Sequence, residues 1–371
     1  MAAMRCATLA LLILLIFCGQ TLADDSIKLP DLSPAQSALE QANVTLNFNE
    51  LIMDLLGGKG IGFDQILSSA KAAVADQLGF VFATIAKLFV PATLLFILIE
   101  LMGGEKKRRA ASEFACYLFT ALALLDIYRS AVLELENFLR DVGRFIESLF
   151  PILSALLVSC GASLTAATHA PLMGIAAGLL SGVIGSAAMQ LCALGLVSAI
   201  FGSISERFSL GKLLGLSRSI LNWLLALSLT GFSGLIAAQN LITNARDSAA
   251  MRASRYAAKN LIPGVGSEVA DAMYAAVGSA VVVKNTAGAA GLIALLLLCV
   301  APLVRLMLCL FATRAAAALI EPLGSSCVSK LVERCAVVFS MLLMAGCAMA
   351  LVCIVLIGAV LGAGNAALTL S

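Results

Sequence analysis

Long apolar runs, separated by short polar breaks, make up most of the chain. They fall at 80–101, 114–128, 149–168, 171–202, 219–241, 288–312 and 336–362. About 20 apolar residues in a helix cross a hydrocarbon core roughly 30 Å thick. Lipid offers the backbone no hydrogen-bond partner, so each crossing must be helical. The run at 114–128 is short. The run at 171–202 is long and holds glycines able to split it, and it is counted as one span. The pattern predicts an all-α, polytopic membrane protein with about seven transmembrane helices in residues 80–371, behind a cleaved signal peptide.

The N-terminus reads differently. Arg5 precedes an apolar stretch from Ala7 to Phe17, and Thr21-Leu22-Ala23 supplies a small-x-small end before Asp24-Asp25. This is the pattern of a secretory signal peptide over residues 1–23. An uncleaved anchor is the alternative. Bulky Phe17 before Cys18 argues against a lipidation site. Residues 24–79 are the most polar part of the chain, with eight acids against Lys28, Lys59 and Lys71. An acidic segment with few basic residues suits export. Ser33-Pro34-Ala35-Gln36 predicts a helix start, with Ser capping and Gln reaching back. The expectation for 24–79 is a small extracytoplasmic helical segment.

Between the second and third runs, residues 129–148 are charged yet periodic. Val132, Leu135, Leu139, Val142, Ile146 and Leu149 recur at steps of three and four, and Glu136, Arg140 and Arg144 form a second line. That is an amphipathic helix, lying on the membrane, docked on a partner, or packed on its own bundle.

Composition narrows the class. Hydrophobic residues make up 61% of the 371 and charged residues only 12%, about half the usual charged share of a soluble domain. Mean hydropathy is +1.02. A soluble enzyme, a disordered chain and a nucleic-acid binder with a broad basic face are excluded. Net charge decides little, but its placement matters. Lys106-Lys107-Arg108-Arg109 after the first run marks a cytoplasmic loop by the positive-inside rule. With seven spans counted this way, residues 242–287 also fall on the cytoplasmic side.

Few residues offer chemistry. His169 is the sole histidine, and one imidazole without companions makes no zinc site. Ser163 has no second histidine to activate it. Gly58-Lys59 and Gly211-Lys212 both lack the upstream glycine of a phosphate loop. The chain is therefore not read as an enzyme, and no cofactor is expected. Cysteines within the runs read as small apolar fillers, and a Cys327–Cys335 bridge is a minor alternative. Gly174, Gly178 and Gly182 place a stripe without side chains on one helix face. Self-association into a homo-oligomer, or a close-packed conduit, is one reading; packing within one chain is the favoured one. Arg305, a charge inside a span after Pro302, either pairs with an acid, lines a wet path or snorkels. Arg252, Arg255 and Lys259 share a face that suits anionic lipid or an acidic partner, or simply solvent.

At the level of longer segments the chain resembles a known family. The run Met251-Arg-Ala-Ser-Arg-Tyr-Ala-Ala-Lys-Asn-Leu-Ile-Pro-Gly-Val-Gly266, the acids between Glu268 and Asp271, and Val283-Lys-Asn-Thr-Ala-Gly288 are similar to the central signature of the stage III sporulation protein AE family. Ser205-Glu-Arg-Phe208, Glu321-Pro-Leu-Gly324 and Gly362-Ala-Gly-Asn365 follow the same order. Ser325 departs from the acid usual after the Pro-Leu-Gly turn. The resemblance covers roughly 140–366. It implies a multi-pass protein of the mother-cell membrane facing the forespore. There it implies a place in a channel or feeding complex with a secretion-type ATPase and ring-forming subunits, supporting late forespore gene expression. It carries over no catalytic residue. The competing reading is a stand-alone secondary transporter, which would want paired half-repeats with broken helices; Pro91 and Pro302 offer breaks, without a convincing repeat.

Overall fold

The computed structural model describes residues 32–42, 44, 47–57, 63–101, 106–204, 211–261, 266–323 and 326–363. The expected signal peptide lies outside them. Every long element is helical. Two short helices, α1 (Ser33–Gln41) and α2 (Phe48–Leu56), precede α3 (Phe63–Leu101) and α4 (Lys106–Ser159). Then come α5 (Ser163–Gly178), a π-helical stretch (Leu179–Ala188) and α6 (Met189–Ile204), which form one uninterrupted rod. Helices α7 (Gly211–Leu261), α8 (Gly266–Ile320) and α9 (Ser326–Gly362) complete the bundle, with a 3-10 turn at Glu321–Leu323.

The all-α, multi-pass class holds, but the count of seven spans does not. Among the described residues, five helical segments are long and apolar enough to cross a membrane, and Gly79–Leu94 is a shorter apolar one. The reason is α4. Residues 114–128, the charged stretch 129–148 and the start of the 149–168 run belong to one helix of 54 residues. The charges do not end the helix because they occupy only its outer side. Leu135, Val142, Phe145 and Leu149 are buried against the bundle, while Glu136, Arg140 and Arg144 are exposed. The amphipathic stretch is thus a surface strip of the bundle itself.

The break expected near His169 sits instead at Cys160–Ala162. Gly161 adopts φ +77°, a left-handed conformation that glycine alone adopts freely. Its N–H bonds Val158 O at 2.9 Å and the Ala162 N–H bonds Leu157 O at 3.0 Å, the paired bonds that stop a helix after such a glycine. Pro171 lies inside α5, and Pro91, Pro151 and Pro302 likewise lie inside continuous helices. The 171–202 run remains unsplit; its glycines accompany a π-helical widening, a rare backbone form.

Merging two expected crossings into one reverses the side of everything downstream. Helices α4, the α5–α6 rod, α7, α8 and α9 alternate in direction. Tyr117 of α4 donates its hydroxyl to Ile200 O of α6, Cys327 of α9 lies 3.1 Å from Ser203 O, and Gly211 faces the Arg334 guanidinium. These contacts place the start of α4 with the 204–211 and 320–326 turns, at what we term the basic end. The 159–163 and 261–266 turns form the opposite end. Residues 242–287 therefore lie away from Lys106–Arg109, contrary to the expectation that both share one side.

At the N-terminus, α1 begins at Ser33, the predicted cap itself, so the N-cap is Leu32, one residue earlier, and Pro34 lies in the first turn. Gln36 does not reach back. It accepts the Phe48 N–H at 2.7 Å and so joins α1 to the start of α2. Phe48, Leu39 and Ile52 are fully buried, and Phe48 meets the Phe145 ring edge-on at 6.5 Å. The two short helices are thereby seated on the second half of α4 and on α8.

Candidate functional site: a polar seam at the end opposite the basic turns

Five helices meet where the 159–163 turn lies against α7 and the finish of α9 lies against α8. Their ends are satisfied by side chains from neighbouring helices. At the start of α5 the first N–H groups have no intrahelical acceptor. Asp247 of α7 supplies one: it accepts from Leu164 N at 3.3 Å, Thr165 N at 3.0 Å and Thr165 Oγ1 at 2.5 Å. A carboxylate there also complements the positive end of the helix dipole. At the finish of α9 the last carbonyls lack donors. Lys284 of α8, fully buried, donates Nζ to Leu361 O at 3.1 Å and to Ala363 O. Its charge sits against the negative end of α9. One acid and one base thus close two helix termini with the signs the dipoles require.

Further polar groups line the same region. Gln239 of α7 donates to Thr168 O at 2.9 Å, and Asn240 donates to Ala359 O at 3.4 Å. His169 is fully buried with Nδ1 2.8 Å from Thr165 O. A carbonyl only accepts, so Nδ1 carries the proton and a neutral ring leaves Nε2 as an acceptor. Nε2 of His169, Oδ1 of Asn240 and Oδ1 of Asn285 are buried acceptors without a hydrogen-bond partner among the described residues. The seam is richer in acceptors than in donors, the opposite of an anion site.

Close backbone approach locks the arrangement. A Cβ on Gly161 would collide with Met251 Cε. One on Gly288 would stand 2.5 Å from Leu361 Cδ2 and 2.8 Å from its Cγ. Three of the segments that carried the family resemblance meet here: Met251 seals the α4–α5 turn, and 283–288 clasps the 361–363 terminus.

The residues singled out from sequence fall elsewhere or at the margin. Arg305 pairs with Glu134 of α4 at 2.7 Å, and its guanidinium carbon stands 5.4 Å from the centre of the Phe80 ring of α3. It ties three helices together. Arg252 is exposed and its Nε lies 3.3 Å from Ser248 O on its own helix. Arg255 and Lys259 continue the same face of α7, and their side chains lie outside the described residues. Gly174, Gly178 and Gly182 have no atom within 4 Å of an added Cβ among the described residues. Among the described residues the stripe faces open space. Among the described residues no three His, Cys, Asp or Glu side chains group as metal ligands, and Cys327 and Cys335 are unbridged.

Sequence reasoning passed over Lys284 and Asp247. Lys284 was within reach: it is an isolated cation between Asp271 and Arg305 in a small-residue helix. Placing the span's start at 288 left Lys284 outside it, at the end of a weakly apolar helical stretch, where a lysine asks for no explanation.

Comparison with known proteins places the whole bundle. The family model for stage III sporulation protein AE matches residues 46–364. The stage III sporulation protein AE of Bacillus subtilis (strain 168) is 26% identical over 235 residues, covering 62% of this chain and 59% of that protein. No solved structure matches. The helical bundle, from α2 to the end of α9, is that of a member of the stage III sporulation protein AE family.

Proposed function

We propose that the chain is a non-enzymatic membrane component of the channel, or feeding, complex between mother cell and forespore. On this reading it supports the engulfed forespore and its late gene expression. The family match over nearly the whole bundle carries the proposal. The meeting of three of the resembling segments in one seam supports a shared structural task for those three. A secretion-type ATPase and ring-forming subunits are the proposed partners, together with membrane lipid. The protein would sit in the mother-cell membrane facing the forespore. The basic turns, with Lys106–Arg109, Lys212 and Lys330 at one end, favour that end for the mother-cell cytoplasm. The seam would then face the forespore.

A clean deletion tests this. We expect normal vegetative growth and a forespore that stalls after engulfment, read with a late forespore reporter. Normal spores accompanied by a solute-uptake defect would overturn the proposal in favour of a stand-alone transporter.

A further inference from the structure

We infer that the bilayer surrounds only the half of the bundle next to the basic turns, and that α4, α7 and α8 run on beyond it as a water-exposed helical head. At 1.5 Å per residue the 54, 51 and 55 residues of these helices extend about 77–83 Å. A hydrocarbon core is only about 30 Å thick. More than half of each helix must therefore lie outside hydrocarbon unless it is steeply tilted.

The exposed side chains show which half. On α4, Phe114, Phe119, Leu122 and Leu133 face outward, and no large apolar residue is exposed from there until Val158. In that interval the exposed positions are Glu136, Asn137, Arg140, Arg144 and Glu147, followed by Pro151 and Ala155. From Phe114 to Leu133 is about 28 Å of helix, close to one bilayer core, with Lys106–Arg109 before it and Glu136 after it. On α7 the outward apolar residues run from Leu216 through Trp223 to Ile242, and exposed Arg246 and Arg252 follow. This belt is longer, about 39 Å, and tilt accommodates it. On α8, which runs the other way, Asp271 and Ser279 are exposed early, whereas Met307, Phe311 and Leu319 are exposed late. In all three helices the apolar exterior lies toward the same end.

The occupant of this belt is lipid hydrocarbon, because its height on α4 matches the core and charges bracket it on both sides. The exposed Lys87–Asp126 pair, 3.2 Å apart, agrees with this placement. Asp126 and exposed Arg129 lie inside the Phe114–Leu133 belt toward its Leu133 edge, Asp126 about 10 Å of helix from that edge, where long side chains reach headgroups. Helices α1 and α2, with exposed Glu40, Glu50 and Asp54, sit on the α4 half that carries the charges. The head therefore bears both the acidic N-terminal helices and the polar seam.

The native protein carries its own probe, since Trp223 is the single tryptophan and is 71% exposed. In nanodiscs of phosphatidylethanolamine and phosphatidylglycerol, acyl-chain bromination should remove most of its fluorescence, and aqueous iodide should leave it unchanged. The head is probed with nitroxides at Arg140→Cys, Arg144→Cys and Ser279→Cys, against Leu122→Cys and Phe311→Cys in the belt. All are made in a Cys347→Ala full-length chain, with that parent as the labelling control. We expect the first three to relax with a water-soluble nickel complex and the last two with oxygen. Quenching of Trp223 by iodide and not by bromolipid, or oxygen-dominated relaxation at Arg140 and Arg144, would overturn the inference.

Discussion

The two ends of the bundle solve the same problem in different ways. Both must finish several helices and turn the chain. At the basic end the turns are set in polar sequence, and the contacts between helices include single hydrogen bonds to backbone carbonyls, from Tyr117 to Ile200 and from Cys327 to Ser203. At the other end a buried lysine and a buried carboxylate reach from one helix to the terminus of another. Exposed side chains of the first, such as Lys330, tolerate exchange because water or headgroups can replace their partners. The second arrangement does not, because a helix end buried without a partner keeps the full desolvation cost of its polar groups.

The sharpest way to break the contrast is to remove Lys284. Lys284→Met leaves the Leu361 and Ala363 carbonyls without their charged donor, and each such bond is worth about 1.5–3 kcal/mol. We expect the purified protein to lose about 3 kcal/mol, read as a large drop in the detergent unfolding midpoint or as loss of folded protein from membranes. Lys330→Met at the basic end should stay within about 0.5 kcal/mol of wild type. Equal losses at both positions would erase the distinction.

Gly288→Ala is the next largest test. The new methyl group would meet Leu361 at both Cδ2 and Cγ, so rotating the leucine tip does not relieve it. Overpacking of this kind costs about 1–3 kcal/mol. Gly178→Ala meets no atom within 4 Å among the described residues. In the isolated chain it should be neutral or gain about 0.4–1 kcal/mol by stiffening the unfolded backbone. Thermal unfolding of the two variants side by side gives the sign. Destabilisation by Gly178→Ala that depends on protein concentration would show that the stripe is covered by a second copy.

This contrast also marks what the sequence could reveal. Apolar runs, the amphipathic strip and the α1 start are local patterns, and they were legible within a residue or two. The buried line Leu135, Val142 and Leu149 follows from spacing alone. The helix count was not legible, because a charged stretch reads as a break whether it leaves the bundle or lies along its outside. Nothing local to Glu136 or Arg140 says that Leu135 and Phe138 are buried beneath them. The α4–α5 turn was missed because Thr168-His169-Ala170-Pro171 looks like a junction, whereas Gly161 becomes a stop only through its backbone conformation. The seam depends on contacts between residues 71 to 119 positions apart, so only folding brings Lys284 to Leu361 or Asp247 to Thr165.

A smaller effect is expected at the other capped terminus. Asp247→Ala removes the acceptor for Leu164 N, Thr165 N and Thr165 Oγ1, and loss of an N-terminal cap costs about 1–2 kcal/mol. Asp247→Asn keeps an oxygen in place but loses the charge, and should recover about half of that stability. Unfolding midpoints order the three proteins. If the asparagine variant matches the alanine one, the charge opposite the helix dipole is the whole contribution, and oxygen geometry adds nothing.

The smallest effect separates two ion pairs at the membrane-facing side. Arg305 and Glu134 are 34% and 25% exposed in their side chains, whereas Lys87 and Asp126 are 58% and 70% exposed. A charge left alone in hydrocarbon costs about 2.5–3.5 kcal/mol on insertion scales, but a partner and a nearby headgroup reduce that cost. Screening and side-chain freedom should hold the Lys87–Asp126 coupling to about 0.5 kcal/mol or less. The Arg305–Glu134 pair is better ordered and has the Phe80 ring beneath the guanidinium. A double-mutant cycle through Arg305→Met and Glu134→Gln should return about 1 kcal/mol of coupling. Phe80→Leu should lower the Arg305 contribution further by about 0.5 kcal/mol. Coupling of the same size at both pairs would mean that burial against α3 adds nothing to Arg305. The triple contact of α3, α4 and α8 would then be held by its apolar neighbours alone.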